Sequence, residues 1–221
     1  MSKKNNDRNE KISDNVPLSF YFQWPAMQLG NTITGLIDGY KNFFKMDVNG
    51  LKTMYLKKSK LMDQRGNTQQ CVDFMEQAAA LDKNDSELFY ELGIAYEKNQ
   101  EIESAVQAYQ KVIALKPNFA KAHYRLGILF IRKSEYAQAV KSLEEALKFK
   151  TDSAEIYFRI GQSYDRLKDY SKAIVNFNKA IEIKPDFLQV YKNMALTYDS
   201  MDQHKEALKC LKKALEIEEL A

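Results

Sequence analysis

Cysteine, proline and glycine are all scarce in this chain of 221 residues: it has two, four and eight of them. Two cysteines, Cys71 and Cys210, cannot build the disulfide framework on which small secreted domains depend, and a packed thiol is the expectation for Cys71. Few glycines and prolines argue against a sandwich of short strands joined by tight turns, and leave helix as the main element. The two histidines, His123 and His204, stand far apart with no clustered ligands, so no metal centre is expected. Charge of one sign is lacking as well. With 33 basic and 30 acidic residues the net charge is only +3, too little and too mixed for a nucleic-acid footprint. No apolar run approaches the ~20 residues of a membrane-crossing helix. No apolar segment follows Met1 as a secretory signal would require, so a cytoplasmic location is expected.

What is present is a period. Five units of 34 residues run without insertion as Lys52–Asp85, Ser86–Phe119, Ala120–Ser153, Ala154–Phe187 and Leu188–Ala221. Position 4 carries Tyr55, Phe89, His123, Tyr157 and Tyr191, and position 8 carries the small residues Ser59, Gly93, Gly127, Gly161 and Ala195. Position 11 is Met62, Tyr96, Phe130, Tyr164 and Tyr198; position 20 is Cys71, Ala105, Ala139, Ala173 and Ala207. Position 24 is Met75, Tyr109, Leu143, Phe177 and Leu211, and position 27 is Ala78, Val112, Ala146, Ala180 and Ala214.

The spacings describe two antiparallel helices per unit. A small residue at position 8 lets the first helix approach the second, and the bulky residues at positions 4, 11 and 24 fill the space beside it. Pro117 and Pro185 fall at position 32, where a ring that cannot continue a helix ends the second one. These residues resemble the tetratricopeptide repeat family, which implies an all-α, right-handed superhelical solenoid of antiparallel helix pairs. The first unit departs from the pattern with Lys58-Ser59, Met62, Cys71 and Met75, and the last with Met194-Ala195 and no proline. Atypical end units are expected of a solenoid.

A repeat of this kind directs attention to a binding surface. There is no glycine-rich phosphate loop, no zinc spacing and no nucleophile elbow, so the chain is read as non-catalytic, with no cofactor and no metal. The resemblance implies a concave groove lined by positions 2, 5, 6, 9, 12 and 13 of the first helices. Those positions give Tyr90, Tyr124 and Phe158 as an aromatic ladder, with Lys121, Arg125, Arg132, Arg159 and Arg166 as cations beside it. Aromatic and arginine side chains are what binding hot spots are enriched in. The competing expectation is that the arginines pair with neighbouring acids and the aromatics cover helix stems. Some relatives clamp a chaperone C-terminal carboxylate with five polar side chains. Lys121 and Arg125 match two of these, but Leu56, Lys60 and Glu91 occupy the other places, and an acid there repels a carboxylate.

Residues 1–17 are polar and expected to be disordered. Residues 18–51 hold an aromatic knot, Phe20, Tyr21, Phe22 and Trp24, closed by Pro25. They continue into an amphipathic stripe of Leu29, Ile33, Leu36, Ile37, Tyr40, Phe43 and Phe44. Three homes are open to this arm: stacking on the first unit as a half-repeat, lying on a membrane, or docking into another copy. With only Lys41 and Lys45 as cations on its polar face, direct membrane insertion is not expected. Docking in trans would be a heterologous contact that builds an open chain of subunits.

The layout of polar start, apolar helix and five repeats also resembles the magnetosome-associated members of the family. That resemblance implies a scaffold that self-assembles through its N-terminal region and binds magnetosome membrane proteins. It would lie peripherally on the cytosolic side of that membrane and act in magnetosome formation or activation. The alternative is a monomeric adaptor or chaperone that clasps one extended peptide in its groove.

Overall fold

The computed structural model describes residues 47–149 and 153–220. All of the regular structure described is α-helical, and ten helices follow one another as antiparallel pairs. The chain divides into two compact units that meet in sequence between Lys83 and Asn84. The first contains α1 (Val48–Gln64) and α2 (Thr68–Leu81). The second contains α3 (Ser86–Lys98), α4 (Ile102–Leu115), α5 (Ala120–Arg132), α6 (Tyr136–Phe149), α7 (Ala154–Arg166), α8 (Tyr170–Ile183), α9 (Leu188–Asp199) and α10 (His204–Glu219). The expected self-assembly arm of Leu29, Ile33, Leu36, Ile37, Tyr40, Phe43 and Phe44 lies outside the described residues.

In the first unit α1 is longer than its counterparts, at 17 residues against 12 or 13. Its extra turn is Val48–Leu51, a stretch that sequence reading assigned to the arm as a connector. Asp47 accepts a hydrogen bond from the Gly50 amide at 2.7 Å and so caps the helix. Leu51 is buried at 1% exposure, which anchors this turn to the α1–α2 pair. Lys52 Nζ and Asp82 Oδ2, 2.7 Å apart, tie the start of α1 to the end of α2.

In the second unit the glycines at position 8 are explained by direct opposition. A Cβ on Gly93, Gly127 or Gly161 would lie 2.5–2.6 Å from Tyr109, Leu143 or Phe177 respectively. Those three side chains are fully buried, so the first and second helices of each pair meet where one contributes no side chain and the other a large one. Between pairs, Val140, Leu143 and Ala146 of α6 pack with Ile156 and Ile160 of α7. Phe177 and Ala180 of α8 pack with Val190 and Met194 of α9. The core is therefore a row of such clusters and has no single centre, as a solenoid requires. Helix α4 ends at Leu115 and α8 at Ile183, just before Pro117 and Pro185.

The turn inside each repeat has one backbone solution. Position 15 is left-handed in all five: Gly66, Gln100, Ser134, Lys168 and Asp202 have φ of 73°, 63°, 61°, 63° and 58°. Only the first of them is glycine.

Candidate protein-binding face

Helices α3, α5, α7 and α9 lie in succession in the second unit, and their exposed and half-buried side chains form one polar face. Position 5 of α3 and α7 does not lie open on it. Tyr90 is half-buried, its ring 5.6 Å from Tyr109 and 5.1 Å from Phe119. Phe158 is 3% exposed, 6.0 Å from Phe177 and 5.1 Å from Phe187. The reason is at position 34. Phe119 and Phe187, each two residues after a proline, reach up from the inter-repeat turn and cover the position-5 ring. This Pro-x-Phe signal stands in the sequence at residues 117–119 and 185–187 and is absent from the third unit, which has Ser153 in that place. Tyr124, the ladder member of that unit, has no such cover. It is half-buried and interacts with Arg159; burial first, then the Glu155 charge, raises its pKa.

The arginines divide into two kinds. Arg125 lies 3.7 Å from Glu97 and interacts with Tyr90. Glu97 also accepts a 2.5 Å hydrogen bond from the Tyr109 hydroxyl. Burial opposes the charge on Arg125, but Tyr90 and Glu97 outweigh it and hold its pKa above the ordinary value. Arg159 donates from Nε to Glu155 at 2.7 Å and from Nη1 to Gln162 at 3.1 Å, and its guanidinium lies 5.4 Å from the Phe158 ring centre. Both are held by neighbours on the face. Lys121, Arg132 and Arg166 are exposed and have no ion-pair partner among the described residues.

The held side chains join successive repeats. Glu97 and Arg125 link α3 to α5, Tyr124 and Arg159 link α5 to α7, and Gln162 donates to Asn193 at 3.3 Å between α7 and α9. The Thr197 hydroxyl, 1% exposed, lies 2.7 Å from Asp165 Oδ1 and 3.0 Å from the Asn193 carbonyl oxygen and can donate to either. A chain of polar contacts this continuous fixes side-chain rotamers in advance, which lowers the entropy lost on binding. The exposed acids Glu87 and Glu91 are on α3, whereas the exposed Arg132 and Arg166 are on α5 and α7. The face is polarised, acidic on α3 and cationic on α5 and α7.

His123 is buried, with Nε2 2.8 Å from the Pro117 carbonyl oxygen, and serves the packing of its turn. Among the described residues no group of three or more His, Cys, Asp or Glu side chains could hold a metal ion. No described helix is long and apolar enough to cross a membrane.

Successive antiparallel helix pairs, small residues opposed to large ones and a polar face on the first helices define a protein-binding repeat. Tetratricopeptide repeat models match residues 98–134, 120–153, 154–187 and 188–219, more than half of the chain, and the chain belongs to that family. Among solved structures it is similar to MamA. One crystal structure of the MamA protein superposes with a TM-score of 0.74 at 29% identity, over 77% of this chain and 93% of that one. MamA 41-end from Desulfovibrio magneticus RS-1 gives a TM-score of 0.73 at 27% identity, over 76% of this chain and 96% of that one. No curated protein matches the sequence.

Proposed function

We propose that this protein is a non-catalytic scaffold that assembles with itself and recruits other proteins through the first-helix face of α3, α5, α7 and α9. The observation that carries the reading is the division of the cations on that face. Arg125 and Arg159 are spent on holding Tyr90, Tyr124 and Glu155 in place, while Lys121, Arg132 and Arg166 point outward without partners among the described residues. A rigid aromatic and polar base with open cations above it suits an extended protein segment bearing acidic side chains, since charged groups at a rim steer encounter and select partners. The likeness to MamA supports a setting at the magnetosome membrane. There the partners would be cytosolic segments of membrane proteins, and the chain would be peripheral to the bilayer and act in magnetosome formation or activation. Residues 29–44 supply an apolar stripe for self-assembly.

Light scattering over a concentration series tests the assembly. Mass that grows with concentration beyond a dimer, and that falls to a dimer or less when residues 1–46 are deleted, is the expected result. A strict monomer at high micromolar concentration would instead favour an adaptor that clasps one peptide.

A further inference from the structure

Helix α10 presents an apolar stripe that no other helix of the second unit shows. In α4, α6 and α8 the residues at position 24, Tyr109, Leu143 and Phe177, are fully buried, and Val106 and Val140 at position 21 are 9% and 7% exposed. Their α10 counterparts are Leu211 at 46% and Leu208 at 66%, with Leu215 at 59% one turn further on. Spacings of three and four place these leucines on one face of the helix. An exposed stripe of this kind marks an interaction surface.

The charges beside the stripe say what fits it. Lys205, Lys212 and Glu219 follow each other at intervals of seven residues, so they line one edge of the stripe from the N-terminal to the C-terminal end of α10. All three are exposed and have no ion-pair partner among the described residues, whereas Lys209, Lys213 and Glu218 pair with Glu206, Glu216 and Lys192. The two ends of this row, Lys205 and Glu219, are opposite in charge and so complementary to each other in the antiparallel direction.

We infer that α10 is a self-recognition surface, pairing with α10 of a second copy in antiparallel, two-fold fashion. Leu211 of one copy lies beside Leu215 of the other, and Lys205 of each meets the Glu219 end of its partner. The contact is isologous and closes on itself, which separates it from any open chain built by residues 29–44. It uses neither those residues nor the first-helix face, so it stands or falls apart from the scaffold reading. One helix pair lies at the low end of specific interfaces, below ~1,200 Å², so the dimer is weak.

The test is sedimentation equilibrium of the full chain from about one to several hundred micromolar. Leu211→Glu, at a position already half open, should weaken association more than about tenfold with unchanged helical circular dichroism. The charge variants do not touch the stripe. Lys205→Glu with Lys212→Glu leaves the edge wholly acidic, and Glu219→Lys leaves it wholly basic. Each should self-associate several-fold more weakly than the parent, and a mixture of the two should recover dimer. Association unchanged by Leu211→Glu overturns the proposal. So does a mixture no more associated than its components, the result expected if residues 29–44 or an unrelated protein are the occupant. Arg132→Glu and Arg166→Glu should leave this dimer intact.

Discussion

Position 15 of the repeat shows what one residue contributes to a turn. Four of its five occupants are not glycine, yet all have φ near +60°. An L-residue in the left-handed region carries a strain of ~1–2 kcal/mol that glycine escapes, while glycine costs part of that back through unfolded-chain entropy. Lys168 is exposed, with φ of 63°. Lys168→Gly should therefore stabilise the protein by ~0.5–1 kcal/mol, a gain of a few degrees in the thermal midpoint, and a calorimetric scan that shows no rise would contradict the argument. None of this was legible in the sequence, because Gln, Ser, Lys and Asp at one position share no side-chain chemistry. What they share is a backbone angle. The glycines at position 8 were legible, because the constraint there is volume. The side chain that needs the space, Tyr109, Leu143 or Phe177, stands at a fixed spacing from its glycine.

At the scale of the helix pair, a hydroxyl of the second helix reaches the first-helix face. Tyr109 on α4 donates to Glu97 on α3, which in turn faces Arg125 on α5. Burial first, and then Glu97, raises the Tyr109 pKa beyond its ordinary range. The sign follows directly. Above about pH 10 the unfolded phenol loses its proton while the folded one keeps it, so stability is fully present below that pH and falls as pH rises. Tyr55, in the α1–α2 pair, is pushed up to about 12 by burial and acts in the same direction. Urea midpoints should thus decline from about pH 9 to 11, and Tyr109→Phe should flatten part of that decline while costing ~1 kcal/mol at neutral pH. An identical pH profile in the variant would remove Tyr109 from the linkage. The period identified which helices pair, but it could not show that Phe158 is buried at 3% exposure. The family resemblance assigned position 5 to the groove, and only the placement of Phe119 and Phe187 reveals that those rings cover it.

Across the whole molecule, function was legible as a class and less so as a set of residues. Five in-phase units announced a protein-binding repeat, and the match to the family over residues 98–219 agrees with it. Which cations are available to a partner depends on the neighbours they meet in three dimensions, and sequence treated five of them alike. Arg125 and Arg159 are committed to Tyr90, Glu97, Tyr124 and Glu155, so reversing their charge would disturb the joints between repeats as well as any binding. Arg132 and Arg166 are exposed at the ends of α5 and α7 and hold nothing in place. Arg132→Glu with Arg166→Glu should therefore lower affinity for an acidic partner segment about tenfold or more, mostly through slower encounter and lost steering. The helical spectrum and thermal midpoint should be unchanged, since exposed charges contribute little to stability. The loss should be largest at low salt and shrink as ionic strength rises. Binding measured by calorimetry at two salt concentrations separates this from the alternative: equal affinity of variant and parent at low salt would mean that these arginines are only a solvated edge, and that partners dock elsewhere on the protein.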